Sequence, residues 1–266
     1  SDASNSILLN LSSSDSNIEL SRETSTTLGT QTAVGEGTDR LYDIQDVIGS
    51  NLADTIVGDE NTNSLQGQGG NDLLIGSGGA DVIIGGNDND TILGGLDSDV
   101  IYGGSLSGTT HIDNGTDTVD YSYITSTTAI NADLSLDDGN NDTNNEQEIK
   151  EVGNATNADS VEGIENIIAT KNNDTLKGSD DYNEINVLDG YKGNDLFIAS
   201  KGVDEFIGGD GIDTLDFSNI DTNASTVTTA DDGNAVIVDL GLGQATDDGY
   251  QNGGTAVVDT ITDIEV

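Results

Sequence analysis

Cysteine, methionine, tryptophan and proline are absent from these 266 residues, and basic residues are scarce. Without cysteine there is no disulfide, no thiolate nucleophile and no thiolate zinc site. Seven Lys and Arg stand against 50 Asp and Glu, a formal charge of −43. Charge of that sign repels nucleic acid and anionic membrane surfaces, so neither is expected as a partner and no direct membrane insertion is expected. No apolar run approaches the ~20 residues of a membrane-spanning helix. Nor is there a charged-then-apolar leader, since the chain opens Ser1-Asp2-Ala3-Ser4. Aromatic residues make up 4% and apolar residues 33%, which leaves little material for a thick core. The 35 glycines add backbone entropy that folding must remove. Composition alone therefore points to disorder, unless the acids stand in a pattern that something neutralises.

The residues of most enzyme sites are missing as well. One histidine, His111, rules out an H-E-x-x-H zinc site, and a Ser-His-Asp triad would have to use it without a G-x-S-x-G turn to carry the nucleophile. His111 falls in a stretch read as a solvated loop. No phosphate-binding or dinucleotide-binding glycine motif appears. Fifty acids allow a carboxylate pair by count, but a sugar cleft wants aromatic platforms, and the seven tyrosines are scattered. The chain is not expected to be an enzyme.

What is present is a period of nine. Asp or Asn recurs at Asp54, Asn63, Asp72, Asp81, Asp90 and Asp99, skips Gly108 and returns at Asp117. A second block runs Asn186, Asp195, Asp204, Asp213, with Asp174 twelve residues ahead of it. Two residues after each acid or amide stands a large apolar residue: Ile56, Leu65, Leu74, Ile83, Ile92, Ile101, Val119, Leu176, Leu188, Phe197, Phe206 and Leu215. A solvated acidic face would keep no such phase. The twelve apolar residues are expected to form the core.

Alternation around each apolar residue predicts a short strand with one inward side chain, and the glycines supply the turn that follows. Nine residues make one strand and one turn, and two such units make a coil. Coils stack about 4.8 Å apart, so turns two repeats apart lie over one another. Asp54, Asp72 and Asp90 are predicted to form one file; Asn63, Asp81, Asp99 and Asp117 form the other. Carboxylates stacked at roughly 5 Å repel by about 0.8 kcal/mol per pair even in water. Calcium resolves this: oxygens across one ion are roughly 4.8 Å apart, and turn carbonyls complete its hard-oxygen shell. Magnesium wants a tighter octahedron and keeps its waters.

Gly67-Gln68-Gly69-Gly70-Asn71-Asp72-Leu73-Leu74-Ile75 and Gly208-Gly209-Asp210-Gly211-Ile212-Asp213-Thr214-Leu215-Asp216 resemble the G-G-x-G-x-D-x-U-x repeat of the RTX (repeats-in-toxin) family. The resemblance implies an all-β chain of parallel β-roll solenoid blocks joined by further strands, several Ca2+ ions in the turns, and type I secretion. Carried onto this sequence, the ligating side chains are Asp54, Asp72, Asp81, Asp88, Asp90, Asp97, Asp99, Asp117, Asp174, Asp195, Asp204 and Asp213, with Asn87. The turn glycines assigned to the same shells are Gly67, Gly69, Gly76, Gly78, Gly85, Gly94, Gly193, Gly209 and Gly211. Asn63 and Asn186 carry a neutral amide in place of the acid, and the Asp204 turn lacks paired glycines; these sites are expected to be weak or empty.

A longer repeat contains the short one. Asp39-Arg40-Leu41-Tyr42-Asp43-Ile44 resembles Asp159-Ser160-Val161-Glu162-Gly163-Ile164 and Asp259-Thr260-Ile261-Thr262-Asp263-Ile264, each at the same distance from the following block where that block is present. This predicts residues 1–38 as the end of one large unit and 39–158 as a second, with its roll at about 46–122. Residues 159–258 form a third, with its roll at about 166–218, and 259–266 begin another, as in a piece of a longer array. Residues 120–158 and 217–258 are read as connecting strands, and 137–151 as a mobile acidic loop.

The function expected is a calcium-dependent structural module of a secreted bacterial cell-surface protein of adhesin or surface-layer type, unfolded at low calcium and folded outside the cell. The alternative is a C-terminal calcium-binding secretion domain of an exported enzyme. Neighbouring copies, or host and cell-surface glycans, are the further partners considered.

Overall fold

The Asp-x-apolar phrase makes a short strand at every place where it occurs. In the computed structural model these strands are Thr55–Val57, Ser64–Gly69, Leu73–Ser77, Val82–Asn87, Thr91–Gly95, Val100–Ser107, Thr118–Asp120, Thr175–Lys177, Val187–Asp189, Leu196–Ile198, Glu205–Ile207 and Thr214–Asp216. Each begins one residue after the register Asp or Asn, and all but Thr214–Asp216 bury the next residue. The structure describes residues 8–10, 18–21, 26–28, 31–33, 38–41, 44–107, 110–112, 115–124, 128–136, 147–151, 158–179, 184–200, 203–218, 237–239, 244–252 and 255–262.

Two compact units divide the chain: Ser1–Asp120 with Gly139–Glu148 and Asn154–Ile164, and Tyr121–Asp138 with Ile149–Gly153 and Glu165–Val266. In the first, one parallel sheet orders Leu8–Asn10, Thr55–Val57, Leu73–Ser77, Thr91–Gly95 and Thr118–Asp120. The other orders Asp46–Ile48, Ser64–Gly69, Val82–Asn87, Val100–Ser107 and Ala158–Glu162. Successive strands thus alternate between sheets, and each pairs with the strand two repeats away: Ile56 with Leu74 and Leu74 with Ile92, Leu65 with Ile83 and Ile83 with Ile101. This is the two-strand coil that the nine-residue period predicts. Two antiparallel pairs, Ile18–Ser21 with Thr38–Leu41 and Thr26–Leu28 with Gln31–Ala33, belong to the same unit.

The second unit repeats the design. One parallel sheet runs Asn166–Ile168, Val187–Asp189, Glu205–Ile207 and Thr255–Thr262, continued by antiparallel Gln244–Asn252 and Ile237–Asp239. The other runs Ile130–Asp133, Thr175–Lys177, Leu196–Ile198 and Thr214–Asp216. The chain is all-β, and both units are parallel β-solenoids with further strands attached.

The core is one side chain deep on each sheet. Ile56, Leu65, Leu74, Ile83, Ile92, Ile101 and Val119 are fully buried in the first unit, and Leu176, Leu188, Phe197 and Phe206 in the second. Phe197 and Phe206, from opposite sheets, meet edge to face with ring centroids 5.8 Å apart. Leu215 departs from the expectation and is only half-buried. Among the described residues its strand Thr214–Asp216 is the last of its sheet, with Leu196–Ile198 as its one neighbouring strand.

Two other expectations are corrected. The stretch around His111 is a hairpin, Val100–Ser107 against Thr110–Ile112, and not a loop. Of the acidic stretch 137–151, residues 137–146 lie outside the described residues, but Gln147–Glu151 is a strand with Ile149 buried. Ile149 is the one large apolar residue of that segment, and burying it fixes the alternation. No helix among the described residues is long and apolar enough to cross a membrane.

Candidate metal centre

The register acids do stack. Each is buried and points along the coil axis toward the turn before it. In the first unit the backbone N–H of Asp54 donates to Oδ1 of Asp72 (2.7 Å), that of Asp72 to Asp90 (2.8 Å) and that of Asp90 to Asp117 (2.7 Å). The other file runs Asn63 to Asp81 (2.8 Å), Asp81 to Asp99 (2.8 Å) and Asp99 to Asp159 (2.9 Å). In the second unit the N–H of Ile130 donates to Asp174 (2.7 Å), that of Asp174 to Asp195 (2.8 Å), that of Asp195 to Asp213 (2.8 Å) and, more loosely, that of Asn186 to Asp204 (3.4 Å).

Asp117 belongs to the Asp90 file, whereas the sequence reading placed it with Asp99. The hairpin Val100–Ser107/Thr110–Ile112 absorbs the extra residues, so the chain returns on the sheet that Thr91–Gly95 occupies. Asp159 takes the vacated place after Asp99 and was not expected as a site residue. Its signal was legible: Asp159-Ser160-Val161 repeats the Asp-x-apolar phrase, and Val161 is buried.

A second correction concerns the space between rungs. An ion bridging successive carboxylates was expected there, but a backbone hydrogen bond fills it. A buried N–H must find an acceptor, and Oδ1 of the next acid is the one within reach. What remains is the other oxygen. Oδ2 of Asp72, Asp81, Asp99, Asp195 and Asp213 is buried and accepts no hydrogen bond. A carboxylate oxygen in that state is costly unless a cation or a proton meets it.

The turn is built around that oxygen. Five residues before the acid stands a glycine: Gly67, Gly76, Gly85, Gly94 and, in the second unit, Gly190. A Cβ at any of them would strike Oδ2 of Asp72, Asp81, Asp90, Asp99 or Asp195 respectively. The same Cβ at Gly67, Gly76, Gly85 or Gly190 would also strike the carbonyl oxygen of the glycine one coil further on, Gly85, Gly94, Gly103 or Gly208. The oxygen and the carbonyls therefore converge on space that only hydrogen leaves open. Gly103 serves Asp117 in this way across the hairpin. Positions four and two before the acid are left-handed, with φ of 84° at Gln68 and 92° at Gly70, or 127° at Gly86 and 71° at Asp88. Gly193 and Gly209 hold such positions too, at 130° and 89°. This is the reason for the second and third glycines of the repeat.

The remaining expected ligands divide. Asp88 and Asp97 are exposed, and each accepts an N–H from the turn below, from Gly70 (3.2 Å) and Gly79 (3.3 Å). Their charge still reaches the buried acids. Asn87 is exposed and donates to the Gln68 carbonyl (3.4 Å). At Gly69 and Gly78 a side chain would meet only ordinary contacts, at 3.9 Å and 3.8 Å, so neither is part of the close cradle. Gly211 packs against the Gly193 carbonyl. Asp54, Asp174 and Asp204 are buried in their files, but their oxygens already accept hydrogen bonds from residues within their own turns.

Burial raises the carboxyls of Asp72, Asp81, Asp99 and Asp195 from near 3.8 to about 7, 6, 8 and 7. Neighbouring acids add to this: Asp54 and Asp88 for Asp72, Asp59 and Asp97 for Asp81, Asp159, Asp81 and Asp97 for Asp99, and Asp174, Asp213 and Asp189 for Asp195. The turn favours whatever brings positive charge to these oxygens. Among the described residues no three acid or histidine side chains cluster to hold an ion, and the glycine carbonyls beside Oδ2 are the further protein oxygens at hand. Buried anionic oxygen, turn carbonyls and no nitrogen or sulfur make a hard-cation donor set.

A parallel solenoid with such turns is a cation-binding repeat fold. Three segments, residues 48–83, 75–109 and 182–215, match the RTX calcium-binding nonapeptide repeat, whose turns bind Ca2+. Those segments contain the glycine turns closing on Asp72, Asp81, Asp90, Asp99, Asp195 and Asp213. Comparison with curated protein sequences gives no match. Among solved structures, the extracellular lipase LipA from Serratia marcescens aligns with 62% of this chain and 29% of its own, at 15% identity and a TM-score of 0.18, too low to carry an argument.

Proposed function

We propose that this chain is a calcium-folded structural module of a secreted bacterial cell-surface protein of the adhesin or surface-layer kind, exported by a type I system and without catalysis of its own. The observation that carries the calcium dependence is the set of buried Asp Oδ2 atoms without a hydrogen bond beside glycine carbonyls. The structural role is supported by the large repeated phrases at Asp39, Asp159 and Asp259 and by the lack of a histidine-, cysteine- or aromatic-based site in the composition.

The physical sequence is one of opposing terms. Each inward Leu, Ile or Phe contributes about 1.5–3 kcal/mol on burial. Backbone ordering costs roughly 1–2 kcal/mol per residue, and one core residue in nine does not offset it. The stacked acids add repulsion and desolvation. Asp72, Asp81, Asp99, Asp195 and Asp213, with the carbonyls of their glycine turns, would hold the calcium, which supplies positive charge only to the folded chain and stabilises it by mass action. A cytoplasm poor in calcium keeps the chain unfolded for export, and millimolar calcium outside folds it.

Far-UV circular dichroism in chelator and in millimolar calcium tests the switch. The expected outcome is a strand spectrum in calcium and a coil spectrum in chelator at pH 7.5, with magnesium a poor substitute. A chain equally folded in both would reject it.

A further inference from the structure

The turns are of two kinds, and only one leaves carboxylate oxygen for an ion. At Asp174 the residue four positions earlier, Thr170, turns its own backbone N–H onto Oδ2 (2.8 Å) and its hydroxyl onto both oxygens (2.9 Å each). With the N–H of Ile130 on Oδ1 (2.7 Å), that carboxylate is fully surrounded by donors. The Thr170 hydroxyl also accepts the N–H of Asn172 (3.0 Å), which closes the turn without a glycine. At Asp54, whose turn keeps Gly49 five residues before the acid, Ser50 makes the same bonds: its N–H donates to Oδ2 (2.6 Å), its hydroxyl to Oδ1 (3.1 Å), and the Leu52 N–H to that hydroxyl (3.2 Å). At Asp204 the hydroxyl of Ser200 donates to Oδ2.

Residue type alone does not decide this. Ser77 also stands four before its acid, Asp81, but has φ of 85° and sends its hydroxyl to the Gly58 carbonyl (3.2 Å), leaving Oδ2 of Asp81 without a hydrogen bond. Ser50, Thr170 and Ser200 are not among the left-handed residues, whereas Gln68, Ser77, Gly86, Gly95, Tyr191 and Gly209, which precede the other acids by four, all are. At Asp72, Asp81, Asp99, Asp195 and Asp213, where the backbone at this position is left-handed, Oδ2 accepts no hydrogen bond. At Asp54 and Asp174 a hydroxyl and an N–H, and at Asp204 a hydroxyl, occupy the place a cation would take, and donors pointed at a cation repel it.

We infer that Asp54, Asp174 and Asp204 bind no calcium: Ser50, Thr170 and Ser200 neutralise them by hydrogen bonding, and calcium is confined to the left-handed turns. The inference rests on the calcium reading above and sharpens it to a count of ions. It also gives each unit a turn, at Asp54 and at Asp174, whose carboxylate needs no ion once the chain is folded.

Native mass spectrometry of the calcium-saturated chain counts the ions. Asp54→Asn and Asp174→Asn are expected to retain the parent's number, while Asp72→Asn and Asp195→Asn each lose at least one. Asparagine is tolerated at this position, since Asn63 and Asn186 occupy it natively. A folded Asp54→Asn or Asp174→Asn chain that has lost an ion overturns the inference. Thr170→Val, which keeps the shape and removes only the hydroxyl, serves if Asp174→Asn does not fold: it is expected to keep every ion with a lower thermal midpoint, and a lost ion there overturns the inference equally. A parent that takes up no calcium rejects the underlying reading instead, so the two failures are distinct.

Discussion

In chelator, the proton should do part of calcium's work. Five buried register acids are raised from near 3.8: Asp81 and Asp174 to about 6, Asp72 and Asp195 to about 7 and Asp99 to about 8. Burial is the largest cause for each. In the unfolded chain they titrate near the ordinary value. Between about pH 4 and pH 6–8 the folded state therefore binds more protons than the unfolded state. Stability then falls as pH rises through that window and is flat below it. Solvent reaching the turns reduces the effect, so we count one net proton in place of five. That gives a slope of about 1.4 kcal/mol per pH unit, a tenfold change in the folded-to-unfolded ratio for each unit. Circular dichroism of the chelated chain from pH 8 down to pH 5 is expected to show strand signal growing with a midpoint above pH 6. The calcium-loaded chain is expected to stay folded throughout. Exposed acids also repel one another, and that repulsion is screened at high salt. The experiment is therefore repeated in roughly 0.5 M salt, where the screening length falls to about 4 Å. A chelated chain equally unfolded at pH 5 and pH 8, or more folded at pH 8, would refute the reasoning.

Two further outcomes follow from the packing. Gly67→Ala places a Cβ against Oδ2 of Asp72 and the Gly85 carbonyl, so it is expected to remove at least one bound calcium and lower the thermal midpoint, read by calorimetric titration and a melting scan. An unchanged ion count would show that the cradle is not where calcium sits. Phe197→Ala removes a fully buried ring and is expected to destabilise the calcium-loaded fold by about 3–5 kcal/mol, while Leu215→Ala on the half-covered last strand falls below the usual 2–5 kcal/mol of a buried leucine. Chemical denaturation in calcium measures both, and equal losses would contradict the different burial of the two sites.

Local rules found the strand at each Asp-x-apolar phrase because one inward side chain and one turn fit within nine residues. They found eleven of the twelve apolar residues as core, missing only that Leu215 lies where its sheet ends. They could not find Asp159 as the rung after Asp99, since the two are 60 residues apart and meet only when the coil closes, the N–H of Asp99 donating to Asp159. Nor could they tell that Ser50 seals its turn while Ser77 does not, a difference set by backbone angle.

The sequence by itself determined the period, the inward residues, the acids and the element that those acids suit, because all of these repeat along the chain and need no knowledge of distant neighbours. Only the tertiary structure decided which acids share a file, which oxygen each has left, and which turns are closed by their own hydroxyls. Those depend on where a hairpin returns the chain and on which buried N–H reaches a carboxylate first, and both are settled across coils.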